Sequence, residues 1–306
     1  MSLEIIFLGT SAGVPTTKRS TSSVAVLRKG ELFLFDCGEG TQRQMMFAGV
    51  GFSRETYIFI THLHGDHTLG LPGLIQTMDM VGRAKPLRIF GPPGIRGFIE
   101  FTVRSVGAKP SYGLQISETS TPGSILEAKE YIVRTALAEH GSFALAYALE
   151  EKQRPGRFYP EKARALGVPE GFLWGRLQRG HNVRLKDGKI VKPEEVLGPP
   201  RRGLKIVYSG DTRPSEAIIE LSKEADLLIH DGTFEGSLSE KAREEGHSTA
   251  LEAAEVALKA GVKRLVLTHI SARYEDTKPL LEEARKIFPN SSIAEDFLRL
   301  RLKYED

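Results

Sequence analysis

The sequence predicts an α/β (α+β) fold, and two patterns point to it. Short runs rich in β-branched and aromatic residues recur along the chain, and in its last third they alternate with segments of helical character. In addition, several of these runs are followed directly by ionisable residues, as at positions 61–67 after the run at 57–60. Because α/β proteins carry their functional residues at strand ends, the sequence predicts a site at one edge of a sheet.

The first half of the chain is predicted to consist mainly of strands. They cover residues 4–8, 24–28, 31–36, 57–60, 87–90, 131–135 and 143–149, with a hairpin turn at Lys29-Gly30. Helices are predicted over residues 70–81 and 94–107. In the last third, strands are predicted at 205–209, 226–230 and 263–268. Thr249 and Glu252 have the spacing of a capping box that opens a helix ending near Ala260, and a further helix covers 279–287.

Residues 150–202 differ from the rest of the chain. They contain 13 lysines and arginines against seven acidic residues, a net charge of +6, whereas the whole chain carries +3. Glycine and proline interrupt this segment, and it is much longer than an ordinary loop. We therefore expect an inserted functional arm at 150–202 within one catalytic domain formed by residues 1–149 and 203–306. An ordinary long surface loop is the alternative.

Composition excludes several classes of protein. The 306 residues contain no apolar run near the roughly 20 residues that a membrane span needs. The start, Met-Ser-Leu-Glu, lacks the basic region of a secretory signal. Cys37 is the only cysteine, which excludes an intrachain disulfide and a cysteine-based zinc finger. We therefore expect a soluble, cytoplasmic protein with no membrane partner.

A run of seven residues, Thr-His-Leu-His-Gly-Asp-His, follows the predicted strand at 57–60. In an extended segment His62 and His64 point to the same side, so both can bind one metal ion. The glycine after them permits a turn that directs Asp66 and His67 toward a second point nearby. Imidazole and carboxylate are ligands that zinc favours. The run therefore predicts a metal site, and a surface histidine cluster without function is the alternative.

Three later residues complete a site for two metal ions. His140 lies between two predicted strands, while Asp211 and His269 each follow one. The set then divides into His62, His64 and His140 on one ion, Asp66, His67 and His269 on the other, and Asp211 on both. This arrangement leaves an open position for a bridging hydroxide, as catalytic zinc sites require. Manganese, cobalt or iron fit the same ligands.

The pattern His-x-His-x-Asp-His, followed by a distant histidine, Ser-Gly-Asp and a final histidine, resembles the metallo-β-lactamase superfamily. Further motifs resemble ribonuclease Z, a family of tRNA 3′-processing endonucleases, and together they span almost the whole chain. They are Leu-Gly-Thr-Ser-Ala-Gly-Val-Pro at 8–15, Phe-Asp-Cys-Gly-Glu-Gly-Thr-Gln at 35–42, Gly-Leu-Pro-Gly-Leu at 70–74, His-Ser-Thr-Ala at 247–250 and Thr-His-Ile-Ser-Ala-Arg-Tyr at 268–274. The resemblance implies a four-layer αββα metallo-β-lactamase sandwich, two Zn²⁺ ions per chain and a homodimer. It implies precursor tRNA as the substrate, no DNA partner, and a flexible arm at 150–202 that grips the tRNA body as an exosite.

The resemblance also implies the reaction and its catalytic residues. One phosphodiester at the 3′ end of precursor tRNA is hydrolysed, leaving a 3′-hydroxyl on the tRNA and a 5′-phosphate on the trailer. Asp66 is then both a metal ligand and the proton acceptor. We expect His247, just before the Thr249 cap, to donate the proton to the leaving oxygen, with Asp231 orienting it. The alternative for His247 is a surface residue at a helix start.

Basic residues are candidates for phosphate contacts. Arg273 lies four residues beyond His269, and a guanidinium binds phosphate through paired hydrogen bonds. A solvated surface arginine is the alternative. Lys18 and Arg19 are expected to contact the acceptor stem. In the arm, backbone phosphates are expected to contact Arg154, Arg157, Arg176 and Arg179.

Three questions stay open at this point. Phe172 and Trp174 either stack on exposed bases or pack in a core of the arm. Arylsulfatase, lactonase and small phosphodiesterase relatives share the His-x-His-x-Asp-His core, although none needs a basic arm of this length. A tRNA-binding or zinc-storing protein without catalysis would be expected to lack Asp66 or a ligand, and none is missing.

Overall fold

The computed structural model describes residues 2–304. Its strands are, in chain order, β1 (Ser2–Gly9), β2 (Ser11–Ala12), β3 (Ser23–Arg28), β4 (Glu31–Phe35), β5 (Glu55–Phe59), β6 (Leu87–Gly91), β7 (Leu114–Glu118), β8 (Gly123–Glu127), β9 (Tyr131–Ala138), β10 (Ala144–Glu151), β11 (Val183–Arg184), β12 (Ile190–Val191), β13 (Lys205–Tyr208), β14 (Leu227–Asp231), β15 (Leu265–Thr268), β16 (Ile270–Ser271), β17 (Ser291–Ile293) and β18 (Arg299–Lys303).

The helices are, in chain order, α1 (Thr41–Phe47), α2 (Gly65–Thr68), α3 (Gly70–Met80), α4 (Ile95–Ser105), α5 (Pro160–Ala165), α6 (Phe172–Gln178), α7 (Pro193–Val196), α8 (Glu216–Ser222), α9 (Ser239–Glu245), α10 (Ala250–Ala260) and α11 (Lys278–Ile287), with a 3₁₀ turn at Gly236–Leu238. Within residues 2–304, no helix combines the length and the hydrophobicity needed to cross a bilayer.

The chain divides into two compact units. The larger contains residues 2–127, 132–150 and 204–304, and the smaller contains Ala128–Tyr131 and Glu151–Gly203.

The larger unit contains two seven-stranded sheets. The strand order is β18-β1-β3-β4-β5-β6-β7 in the first and β17-β15-β14-β13-β10-β9-β8 in the second. Strands β4, β5 and β6 are parallel, and so are β13, β14 and β15, so the carboxyl ends of each group share one edge. Because β10 is antiparallel to β13, the beginning of β10 lies at that same edge of the second sheet. Residues that precede β10 and residues that follow β13 are therefore brought together.

Alternation of side chains along β4 shows how the layers form. Leu32 and Leu34 join a core beneath the helices of the first sheet, whereas Phe35 points to the opposite face. There the ring of Phe35 lies 5.7 Å from that of Tyr208 and 6.3 Å from that of Tyr147, both on the second sheet. Aromatic rings at such distances bury a large area and add a favourable pair geometry. The two sheets therefore pack face to face through aromatic side chains.

Helices cover the outer faces of both sheets. Leu74 of α3 and Ile99 of α4 pack in the core on the first sheet, together with Met45 of α1. Ala253 of α10 and Leu280 of α11 pack in the core on the second. The layers thus follow the order helix, sheet, sheet, helix, and the predicted four-layer αββα sandwich is confirmed.

The smaller unit has its own hydrophobic core, formed by Ala163, Val168, Leu177, Val183, Val191 and Val196. Trp174 packs against this core, because its ring lies 5.2 Å from that of Phe158 and its Nε1 donates to the Val168 carbonyl at 3.0 Å. Phe172, in contrast, is 73% exposed. Of the two aromatic residues considered for base stacking, Trp174 therefore belongs to the core and Phe172 faces solvent.

The strands and helices predicted from the sequence are present, with ends shifted by a few residues. The predicted hairpin turn joins β3 to β4, with positive φ at Lys29 and Gly30, as a tight turn of this kind requires. The capping box opens α10, where the Thr249 hydroxyl accepts a hydrogen bond from the Glu252 amide at 3.2 Å. Several short elements were not predicted, among them α1, α8, β7, β8, β18 and the helices α5 to α7.

Candidate metal centre

All seven residues predicted as metal ligands lie at one edge of the two sheets, within two overlapping groups. The candidate ligand atoms of each group lie within 4.8 Å of one another, and the groups are His62, His64, His140 and Asp211, and Asp66, His67, Asp211 and His269. Oδ2 of Asp211 lies 3.3 Å from Nε2 of both His67 and His269, and 3.6 Å from Nε2 of His62. Asp211 thus belongs to both groups, as expected for a bridging ligand, although metal binding by each residue stays a prediction.

The polar atoms at the centre of this cluster fit a pair of cations. Among the described residues, Nε2 of His62, Nε2 of His67 and Oδ1 of Asp211 are buried and have no hydrogen-bond partner. A buried polar atom without a partner costs free energy, and a bound cation would supply such a partner. Since imidazole nitrogen and carboxylate oxygen are zinc ligands, the donor set suits that ion.

Hydrogen bonds behind the cluster set the orientation of the imidazole rings. Four of the histidines bond through Nδ1 to an oxygen, which leaves Nε2 for the cluster. The acceptor groups are the hydroxyl of Thr61 for His62, Asp36 for His67, the carbonyl of Gly246 for His140, and the hydroxyl of Thr233 for His269, at 2.7–3.0 Å. The fifth, His64, instead turns Nδ1 toward Nε2 of His140, 3.3 Å away. Such outer hydrogen bonds select the tautomer that a metal ligand needs.

Asp36 is a residue of this site that was not among the predicted site residues. Its fully buried carboxylate accepts hydrogen bonds from the amide of Thr61 at 2.8 Å, from Nδ1 of His67 at 2.7 Å and from the hydroxyl of Tyr208 at 2.9 Å. The Thr61 hydroxyl also donates its one proton to the Asp36 carboxylate. Its oxygen therefore accepts a hydrogen bond from Nδ1 of His62. Asp36 therefore orients two candidate ligands at once. Its position directly after a buried strand is the signal that could have found it.

The backbone is held closely around the ligands. Gly38 packs so near to Asp66 that a Cβ on the glycine would lie 2.3 Å from the Asp66 carbonyl oxygen. His269 has φ of 57°, a left-handed conformation that is uncommon for a residue other than glycine. Such backbone strain often occurs at functional sites.

The charge states of His62 and Asp211 favour ligation, whereas Asp211 and Asp36 outweigh burial at His67 and raise the pKa of that imidazole well above its ordinary value. Burial and the nearby ring of His67 hold the pKa of His62 well below its ordinary value, so its imidazole is neutral. Burial raises the pKa of Asp211, but His269, His67 and His62 lower it by more, and the carboxyl is ionised. Neutral imidazole and ionised carboxylate are the forms that bind a metal ion.

His247 and Asp231 form a hydrogen-bonded pair beside these two groups, and with Asp211 and His269 they make a third group whose candidate ligand atoms lie within 4.8 Å of one another. Nδ1 of His247 lies 2.8 Å from Oδ2 of the fully buried Asp231, and its ring lies 5.0 Å from that of His269 and 5.2 Å from that of His140. Burial lowers the pKa of His247, but the Asp231 carboxylate raises it by more, to about 9. Asp231 also accepts from the hydroxyl of Thr233, which fixes the carboxylate.

The residues predicted to contact phosphate lie in different surroundings. Arg273 is exposed, and its guanidinium lies 4.8 Å from the ring of Phe234, with Nε donating to Ser271. Lys18 is exposed as well. Arg19 is half-buried, and its Nη1 donates within the protein, to Thr10 and to the carbonyl of Ala294. A contact between Arg19 and RNA stays a prediction.

The predicted phosphate contacts of the arm belong to the smaller unit. Arg157, Arg176 and Arg179 are exposed, and Arg154 is half-buried with its guanidinium donating to the Arg202 carbonyl.

Known proteins resemble this chain along its whole length. Sequence profiles described as "Beta-lactamase superfamily domain" and "Anti-Pycsar protein Apyc1" match residues 188–270 and 3–98. A ribonuclease Z from Methanothermobacter thermautotrophicus is 51% identical over 304 residues, which cover 99% of this chain and 98% of that protein. A ribonuclease Z from Methanosarcina acetivorans is 51% identical over 303 residues, which cover 99% of each. The crystal structure of human tRNase Z, short form, has a TM-score of 0.73 at 29% identity and covers 98% of this chain and 99% of that one.

Identity near one half over almost the full length agrees with the αββα sandwich and with the His/Asp cluster at its edge. The chain therefore belongs to the ribonuclease Z family, and it is a metal-dependent phosphodiester hydrolase with the metallo-β-lactamase fold.

Proposed function

We propose that this chain is a zinc-dependent endonuclease that removes the 3′ trailer from precursor tRNA. It hydrolyses the phosphodiester at the 3′ end of the tRNA, leaving a 3′-hydroxyl on the tRNA and a 5′-phosphate on the trailer. The observation that carries this proposal is the cluster of seven candidate ligands with three buried, unpartnered donor atoms, in a chain of this family.

Two Zn²⁺ ions are the proposed cofactors. His62, His64 and His140 would hold the first, Asp66, His67 and His269 would hold the second, and Asp211 would contribute to both. When bound, the ions polarise a water molecule and the oxygens of the scissile phosphate.

Asp66 is the proposed proton acceptor. Its Oδ2 accepts a hydrogen bond from the Gly13 amide at 2.9 Å and lies 3.3 Å from Nε2 of both His67 and His269. A carboxylate fixed at the edge of the cluster can accept a hydrogen bond from the attacking water and then its proton.

His247 is the proposed proton donor to the leaving 3′-oxygen. The bond from its Nδ1 to Asp231 fixes the ring, so that Nε2 is the nitrogen left for the substrate. The ring borders His140 of one ligand group and His269 of the other, so a phosphodiester bound at the cluster lies within its reach. A histidine that is oriented by a carboxylate is a common general acid.

The proposed RNA contacts are spread over both units. In the larger unit, the exposed Arg273 is assigned to a phosphate near the cleavage point. The exposed Lys18 and its neighbour Arg19 are assigned to the acceptor stem. In the smaller unit we assign Arg154, Arg157, Arg176 and Arg179 to the tRNA backbone. This division predicts that the arm supplies affinity and the cluster supplies the chemistry.

We also propose that the chain forms a homodimer and that it works in the cytoplasm, where it would encounter precursor tRNA. Large apolar side chains are exposed on three helices that pack on the first sheet, namely Met46 and Phe47 of α1, Met80 of α3 and Phe101 of α4. A second copy of the chain is the proposed occupant of this surface. Light scattering should give twice the chain mass of 33.8 kDa. Met80→Glu places a charge on the proposed dimer surface, so it should lower the measured mass towards that of one chain. A monomer at micromolar concentration would contradict the dimer.

The test of the function uses a precursor tRNA with a short 3′ trailer, incubated with metal-free protein and then with added Zn²⁺. We expect zinc-dependent release of one defined trailer that carries a 5′-phosphate. Binding without cleavage would indicate an RNA-binding module, and cleavage that a chelator leaves unchanged would contradict the metal-dependent mechanism. A second precursor with encoded CCA maps the cleavage point.

A further inference from the structure

Asp296 lies outside both ligand groups, and its carboxylate binds both ends of the loop formed by residues 10–20. Oδ1 accepts a hydrogen bond from the Thr10 hydroxyl at 2.8 Å, and Oδ2 accepts one from the Ser20 amide at 2.7 Å. Oδ2 also accepts from the side-chain amide of Gln44 at 3.0 Å, and that amide reaches the Leu8 carbonyl as well. Three donors from separate segments therefore converge on one carboxylate.

Arg19 and the backbone complete the base of this loop. Nη1 of Arg19 donates to the Thr10 hydroxyl at 2.7 Å and to the Ala294 carbonyl at 2.6 Å. The amides of Thr10 and Ser11 both donate to the Ser20 carbonyl at 2.9 Å. Because the hydrogen bonds of this base run through Thr10 and Ser20, we expect a change at Asp296 to affect the whole loop.

Two other parts of the same loop, Gly13 and β2, lie beside the candidate metal centre. The Gly13 amide donates to Oδ2 of Asp66 at 2.9 Å, and φ of 62° places Gly13 in the left-handed region that glycine adopts readily. Next to it, β2 pairs with β16, which begins one residue after His269. The loop thus connects Asp296 to two candidate ligands.

We propose that Asp296 is a positioning residue for Asp66, because it holds the base of the loop and thereby keeps the Gly13 amide against Oδ2 of Asp66. A carboxylate rotates about its Cβ–Cγ bond, and a hydrogen bond to one oxygen selects one orientation. In the structure this is the orientation in which Oδ2 faces both His67 and His269. The inference rests on the proposed function for the role of Asp66 as a metal ligand.

The size of the effect follows from how ligand orientation acts on metal affinity. Removal of a hydrogen-bond partner that orients a ligand lowers metal affinity about 10–100-fold in proteins. Asp296 acts through one intermediate, the loop, so we expect the lower end of that range. A role confined to folding stability would leave the metal affinity of the folded variant unchanged.

The test compares Asp296→Ala and Asp296→Asn with Asp79→Ala. Asp79 is a matched control, because its carboxylate also accepts a hydrogen bond from a backbone amide and from a hydroxyl, both of Ser111 at 2.7 Å, and it contacts no candidate ligand. Two measurements are made on metal-free protein: hydrogen–deuterium exchange of peptides that cover residues 10–20, and Zn²⁺ binding in competition with a coloured chelator.

For Asp296→Ala we expect faster exchange over residues 10–20 and about tenfold weaker binding of one Zn²⁺ equivalent. Asp296→Asn keeps one acceptor oxygen and should fall between Asp296→Ala and the unchanged chain, while Asp79→Ala should bind zinc as the unchanged chain does. Wild-type exchange and zinc affinity in folded Asp296→Ala would overturn the proposal. If that variant does not fold, the same wild-type result in Asp296→Asn overturns it. Neither measurement uses RNA, so a failure of the proposed function in the cleavage assay is a separate outcome.

Discussion

Replacement of Asp36 by asparagine tests whether the residues behind the ligands set metal affinity. The carboxylate is fully buried and accepts hydrogen bonds from the amide and hydroxyl of Thr61, from His67 and from Tyr208. Asparagine has almost the same shape, but it offers one acceptor oxygen and places two N–H donors where the second oxygen was.

The structure gives the expected magnitude. If the remaining oxygen takes the place of Oδ2, the bonds from His67 and Tyr208 are kept, and the new amide group faces the Thr61 amide. One buried N–H then loses its partner, which costs about 1–3 kcal/mol of unfolding free energy. His67 also loses the charged partner that fixes its ring, so zinc affinity should fall about 10–100-fold.

Two assays measure these quantities. Urea denaturation of the metal-free protein gives the change in unfolding free energy, and chelator competition gives the zinc affinity. Tyr208→Phe is the control, because it removes one donor and leaves the bonds of His67 and Thr61 to Asp36 in place. Tyr208→Phe should lower the unfolding free energy by less than Asp36→Asn does, and it should change the zinc affinity little. An Asp36→Asn variant with wild-type zinc affinity would refute the reasoning.

Three further predictions follow from the same structure. His247→Ala should retain both zinc equivalents and lose about 10²–10⁴-fold in turnover, since His247 is not among the seven proposed ligands and its Nδ1 is bonded to Asp231; full activity in the zinc-loaded variant would remove it from the mechanism. Excision of residues 152–200 should raise KM for precursor tRNA at least about tenfold and spare hydrolysis of a nitrophenyl phosphodiester, whereas equal loss on both substrates would contradict a binding role. Cys37 is fully buried, and burial raises the pKa of its thiol to about 12, so iodoacetamide at pH 8 should label it only after denaturation, as intact-mass measurement would show.

The clustering of the candidate ligands could be predicted from the sequence because much of its pattern is local. His62, His64, Asp66 and His67 lie within six positions after a strand, and the later ligands follow or precede strands whose ends share an edge. The four-layer order needed the resemblance as well, since hydrophobic runs alone do not tell which face of a sheet meets helices and which meets a second sheet.

The network behind the ligands could not be predicted in the same way, because its partners are distant in sequence. Asp36 meets His67 at a separation of 31 positions and Tyr208 at 172, and Arg19 meets Ala294 at 275. No short sequence pattern predicts contacts between residues so far apart. The sequence therefore predicts a contact between Arg19 and RNA, which stays untested, but it does not reveal that the guanidinium also donates to the Ala294 carbonyl.

The helices of the smaller unit were missed for a different reason. They are four to seven residues long and lie between glycines and prolines, so their apolar residues do not repeat over enough turns to show a helical period. Their apolar side chains, among them Leu177 and Trp174, pack in one shared core whose members are spread over the segment. The alternating Arg-Leu-Arg-Leu-Lys of β18, in contrast, carried a clear strand signal that was overlooked.

The most direct test of the central claim is an anomalous difference map from a crystal of the zinc-loaded protein, with data collected at the zinc absorption edge. We predict two peaks on either side of Asp211, one among His62, His64 and His140 and the other among Asp66, His67 and His269. A single peak at another place on the chain, or no peak in protein that cleaves precursor tRNA, would contradict the two-metal site.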